Sequence, residues 1–207
     1  MAESLRVDTS AVRGAAGQAN AAAEGATPGS AQVQPCARDF VSVGASTRFS
    51  AQVALARTYT TMANAIARQF GVLLDSSAAA YDSQEAASAA RLGGTGAPGA
   101  TTPAGMPIPA GVPMPPSAPG VSAPAGEVPE APRDIARLIE TGRGGEGRRA
   151  WETVETSLVS EARQLDDAAD QLGAAINQAE DGWQSPSAQA ATSRIRELRT
   201  WYQSHAD

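Results

Sequence analysis

The chain has no lysine, one cysteine, one histidine and few aromatics, which make up 4% of its 207 residues. Each shortage excludes something. A disulfide framework needs paired cysteines, and Cys36 is alone. A Cys/His zinc site needs several ligands where only Cys36 and His205 exist. Sandwiches and barrels draw on β-branched and aromatic residues. Here 45 residues are Ala, the best helix former. The net charge of −6 argues against general nucleic-acid binding, which wants a basic surface. Residues 1–30 hold no apolar run of about 7–15 residues, so no ordinary signal peptide is expected. No apolar stretch reaches the roughly 18 residues of a transmembrane helix. Export would then use another route.

Proline is unevenly spread: 11 of the 14 lie between Pro98 and Pro132. Residues 92–126 carry no charge at all. Each Pro lacks an N–H and restricts its predecessor, and the interspersed Gly residues weaken helix further. Residues 93–130 therefore read as a disordered or polyproline-like linker, not a polyelectrolyte tail. A PxxP ligand at Pro113–Pro116 is the functional alternative, weakened by how often such spacing arises by chance in Pro-rich tracts. The linker separates two regions of different charge. Residues 1–91 hold seven Arg and seven acids, whereas residues 127–207 hold nine Arg and fifteen acids.

Before the linker two helices are expected. Asp8, Thr9 and Ser10 offer N-caps for a helix to about Glu24, with Val12, Ala15, Ala16 and Ala19 on one face. A long helix follows from roughly Ala37 to Arg91. Its apolar stripe is Leu55, Tyr59, Met62, Ile66, Phe70 and Leu73, at helical spacing. Gly44 and Gly71 are the places where it would bend. After the linker, Pro132 opens a short helix, Arg133–Glu140, broken by residues 141–147. A second long helix carries Trp151, Val154, Leu158, Ala162, Leu165, Ala169, Leu172 and Ile176, a heptad-like run. Residues 181–186 make a turn. Ser185 is then the N-cap and Pro186 the first residue of a last helix that buries Ala188, Ala191, Ile195, Leu198 and Tyr202. The expected fold is all-α: two helical hairpins, residues 1–92 and 131–207, packed as an elongated four-helix bundle and joined by the disordered Pro/Gly/Ala linker.

No catalytic constellation emerges. Residues 142–147 match GxGxxG, but a helix precedes them where the dinucleotide fold needs a strand, and a phosphate-binding P-loop needs the absent Lys. Asp166–Asp167 and Glu180–Asp181 read as solvated helix faces, His205 as a surface residue, and Cys36 as a turn or packing residue despite a helix start that would favour its thiolate. Nothing assembles a nucleophile, a base and an oxyanion site, so no enzyme and no cofactor or metal is expected.

Two small motifs remain. Tyr81 and Glu85 stand at i and i+4, on one face of the long helix near its exit. Trp183-Gln184-Ser185 lies in the tight turn of the second hairpin. Together with the paired hairpins, they resemble the PE and PPE modules of actinobacterial type VII (ESX) secretion substrates. Tyr81-xxx-Glu85 resembles that family's YxxxD/E export signal, and Trp183-Gln184-Ser185 its WxG turn, with Ser185 where Gly is usual. A PE-like module fused to a PPE-like one resembles the EspB-like substrates. Supporting residues are Gln34-Pro35-Cys36 before the first long helix and Leu138-Ile139-Glu140-Thr141-Gly142 before the second. The resemblance covers residues 37–92 and 131–207, and residues 1–36 weakly.

That resemblance implies a secreted, non-enzymatic protein. Tyr81 and Glu85 would form the linear signal, and Trp183 with Ser185 would sit beside Tyr81 to complete it. Its implied partners are the ESX secretion ATPase, a dedicated chaperone, further copies of the chain in a ring, and acidic phospholipids, although an acidic bundle should repel anionic headgroups unless arginines cluster. An intracellular adaptor or chaperone-like bundle that binds other ESX substrates is the alternative reading. The last helix reaches Trp201 and Tyr202 without a stop signal, so the native chain is expected to continue beyond Asp207.

Overall fold

A computed structural model describes residues 7–35, 40–92 and 146–206. Among them are four helices: α1, Thr9–Gly25; α2, Phe40–Leu92; α3, Glu146–Gly182; and α4, Pro186–Ala206. The expected linker, Cys36, the Arg133–Glu140 helix, the PxxP motif and most of the GxGxxG segment lie outside the described residues.

Local chemistry fixes the helix ends. Asp8 caps α1: its Oδ1 accepts from the backbone N–H of Ser10 at 3.0 Å and of Ala11 at 3.1 Å. Such a cap is worth about 1 kcal/mol. Ser185 caps α4, its Oγ accepting from Ala188 N–H at 3.1 Å, with Pro186 in the first position, where its missing N–H costs nothing. α2 tolerates many Ser and Thr because their hydroxyls fold back onto the preceding turn. Thr58, Thr61 and Ser77 each donate to the carbonyl four residues earlier.

The chain forms two compact units, with α2 and α3 contributing to both. The first takes its described residues from 7–26, 63–92 and 164–206. All four helices meet there, drawn from both sides of the linker segment. α1 buries Val12, Ala15, Ala16, Ala19, Ala22 and Ala23. α3 supplies Leu165, Ala168, Ala169, Leu172, Ala175, Ile176 and Ala179, and α4 supplies Ala188, Ile195, Leu198, Trp201 and Tyr202. So much alanine brings helix axes close. Gly71 of α2 goes further, since a Cβ there would run into the Asn20 side chain of α1. Gly71 is thus a packing notch inside an unbroken helix and not a bend.

The apolar stripe expected on α2 is displaced by about one position. Met62 is exposed and Leu55, Ile66 and Leu73 are half-buried, while Ala63, Ala67, Phe70, Leu74 and Ala78 face inward. Periodicity weighted by side-chain size favoured the large residues, whereas close packing selects the small ones. One polar residue shares the stripe. Asn64 Nδ2 donates to the Ala26 carbonyl at 2.6 Å, and Tyr202 Oη donates to Asn64 Oδ1 at 2.5 Å. Burial pushes the Tyr202 phenol well above its ordinary range, against the opposing pull of the Arg68 charge.

The second unit takes its described residues from 27–35, 40–62 and 146–163. Segments of α2 and α3 carry buried Val53, Tyr59 and Val154, and Phe49 stacks on Trp151 with centroids 5.4 Å apart. Across them runs an irregular strap, residues 27–35. Its backbone groups are met by side chains. Arg57 donates to the Ala31 carbonyl at 2.9 Å and Ser50 to that of Val33 at 3.3 Å. Arg57 also grips Glu161 with two bonds, at 2.7 and 3.1 Å, and Ser157 donates to the same carboxylate at 3.0 Å. Burial raises the Glu161 pKa, but the bonds from Arg57, Ser157 and the Gly29 N–H outweigh it and hold the carboxyl below its ordinary range.

Candidate functional site

The residues singled out from sequence fall at one place in the first unit. Tyr81 lies on α2, half-buried, and Trp183 follows directly on α3. Their rings meet edge to face, with centroids 6.3 Å apart and planes at 72°. This is the favoured geometry for the aromatic quadrupole. Glu85 is exposed one turn further along α2, beside exposed Ser83, Gln84 and Ala86. Ser185 is half-buried and occupied as the α4 cap. The fold thus brings Tyr81 and Trp183 together, sets Glu85 on the adjoining turn, and uses the Ser185 hydroxyl as the α4 cap.

The third component is the start of α1. Val7 and Trp183 form an antiparallel bridge, and Asp8 N–H donates to the Gly182 carbonyl at 2.6 Å. Gly182 permits this approach. A Cβ there would lie 2.6 Å from the Ala11 Cβ and 3.2 Å from the Asp8 carbonyl oxygen. On the other flank Asp82, next to Tyr81, is bonded by Arg13 and Thr9 of α1. The Thr9 hydroxyl first, then the Arg13 guanidinium, keeps the Asp82 carboxyl below its ordinary range. Arg13 also stands 3.9 Å from Asp75. The Trp183 Nε1 is buried with no acceptor among the described residues.

Sequence reasoning missed Asp82, Arg13 and Gly182. Asp82 and Arg13 lie 69 residues apart, beyond any local pattern. Gly182 had a signal, a glycine directly before the turn tryptophan.

The remaining candidates do not assemble. Asp166, Asp167 and Asp181 are exposed, and Glu180 is engaged by Arg196 and by Thr192 at 3.0 Å. His205 stacks on Trp201 with centroids 4.0 Å apart. No group of three or more His, Cys, Asp or Glu placed to hold a metal occurs among the described residues. No helix among them is long and apolar enough to cross a membrane.

Comparison with known proteins gives two matches. Residues 2–88 match the model of the PE family. The fold matches the crystal structure of EspB from the ESX-1 type VII secretion system, with a TM-score of 0.61 and 17% identity, over 99% of this chain and 71% of that one. No curated protein matches the chain in sequence.

Proposed function

We propose that this chain, whose residues 2–88 match the PE family and whose fold is that of EspB, is exported by a type VII (ESX) secretion system and works as a non-enzymatic scaffold. One observation carries the reading: Tyr81, at the end of the PE-matched segment, is in ring contact with Trp183 beyond the linker. In this reading Tyr81 and Glu85 are the linear export signal, and Trp183 with the Ser185-capped turn completes the surface that the secretion ATPase reads. A dedicated chaperone covers that surface before export. Outside the cytoplasm, copies of the chain assemble into a channel-like ring.

Acidic phospholipid gains no support from α4, where two of the three arginines are already engaged, Arg194 by Glu197 and Arg196 by Glu180.

The test is export. The chain should appear in the culture filtrate of a strain with working ESX systems and be retained in one without them. Equal amounts in both filtrates would overturn the proposal, and retention by both would favour the intracellular adaptor. Tyr81→Ala should stay inside with its helical circular dichroism unchanged. Its normal secretion would remove Tyr81 from the signal.

A further inference from the structure

Two separate elements carry the aromatics of the export surface. A ring contact of about 1 kcal/mol is a weak device for fixing two elements in place. The start of α1 reaches both. Val7 bridges Trp183 through the backbone, and Asp8 N–H holds the Gly182 carbonyl at 2.6 Å. Further along the same helix start, Thr9 and Arg13 hold Asp82, the residue after Tyr81. Ala11 lies in the gap left by Gly182, so the turn meets the body of α1 as well as its backbone. Asp8 meanwhile caps the same helix end. One rigid, capped helix start is therefore bonded at one flank to the Tyr81 turn and at the other to the Trp183 turn.

We infer that residues 7–13 are a third component of the export surface, positioning Tyr81 and Trp183 by holding α2 at Asp82 and the turn at Gly182. This rests on the export reading above. It adds that recognition depends on α1 being docked, so the signal is complete only when helices from both sides of the linker have folded onto one another. Arg13, Thr9 and Asp82 are positioning residues in this account. An exposed ion pair such as Arg13–Asp82 adds little to global stability. Its effect is on geometry: it fixes where the Tyr81 turn stands against the start of α1.

The experiment uses the full chain in four forms: wild type, Arg13→Asp, Asp82→Arg, and the double exchange. Export is measured as the ratio of filtrate to cell-associated protein. The Tyr81–Trp183 contact is followed by nuclear Overhauser effects between the rings, and the fold by thermal melting. Each single variant should lose most of its export and lose the ring contact. Its melting midpoint should move by no more than a few degrees. The double exchange restores the pair with reversed polarity and should recover part of both export and ring contact, because an arginine at position 82 offers the Thr9 hydroxyl no acceptor and an aspartate at position 13 faces Asp75.

Single variants that keep the ring contact, or are exported like wild type, would overturn the inference. So would a double exchange that regains the ring contact but stays inside, because Asp82 would then be read directly by the machinery. Tyr81→Ala separates the two levels. If it is retained while the single variants are exported, only the role of residues 7–13 fails. If it is exported normally, the signal itself is wrong and this inference falls with it.

Discussion

The two compact units of this chain are held by different forces. In the first, apolar packing dominates. Leu74, Leu172, Ile195, Leu198 and Tyr202 are almost fully buried, and alanines and glycine notches let the helices close on them. In the second, the described interior is thin, with Val53, Tyr59 and Val154 as its buried apolar side chains. There one carboxylate, Glu161, takes bonds from Arg57, Ser157 and the Gly29 backbone. Two helix segments and a strap enclose little core, and a polar clasp supplies order where apolar area is scarce.

The comparison can be broken at three points. Leu172→Ala should have the largest effect. The residue is fully buried, so lost transfer energy and a cavity together should cost about 2–5 kcal/mol in chemical denaturation. A loss under about 1 kcal/mol would show that apolar packing is not what holds the first unit.

Glu161→Gln should come next, at about 1–3 kcal/mol, since Arg57 is left half-buried without its counter-charge. Its signature is local: amide exchange at Gly29 should accelerate while the α1 amides keep their protection. The pH dependence has a definite sign. The folded-state pKa of Glu161 lies below its unfolded value, so its contribution is full above the unfolded value and is lost as pH falls through the folded one. Strap exchange in the wild type should therefore approach that of Glu161→Gln in strong acid. A gap that persists there would contradict the clasp. Tyr202→Phe should have the smallest effect, about 1 kcal/mol. It removes one donor and leaves the Asn64 Oδ1 unpaired inside the first unit. A loss as large as that of Leu172→Ala would mean that a polar bond, and not packing, governs this unit too.

The existence and approximate ends of the described helices were legible because each carries its own local signals. Asp8 and Ser185 are caps, Pro186 is a first-turn residue, and the spacing of Leu165, Leu172 and Ile176 follows the helical period. The face of α2 was legible only roughly, since size-weighted periodicity cannot know that an interior will be built from Ala63, Ala67 and Ala78. Of the candidate site, Tyr81, Glu85, Trp183 and Ser185 were found through their resemblance to a known family, and the ring contact is a fact of the fold. The polar ties were not legible. Arg57–Glu161 spans 104 residues and Tyr202–Asn64 spans 138, and no local pattern marks which Arg or Asn will find a partner that far away.

The Asn64 bonds have a consequence for the order of events during synthesis. Asn64 joins the end of α1, at the Ala26 carbonyl, to Tyr202 near the end of α4. A nascent chain of α1 and α2 can make the first bond as soon as both have emerged, but the second waits until α4 has emerged as well. Until then the inner faces of α1 and α2 lack α3 and α4 as cover. Closure of the first unit is thus a long-range step, of the kind that chain topology makes slow. During that interval those faces are open to anything that would hold an unfinished chain.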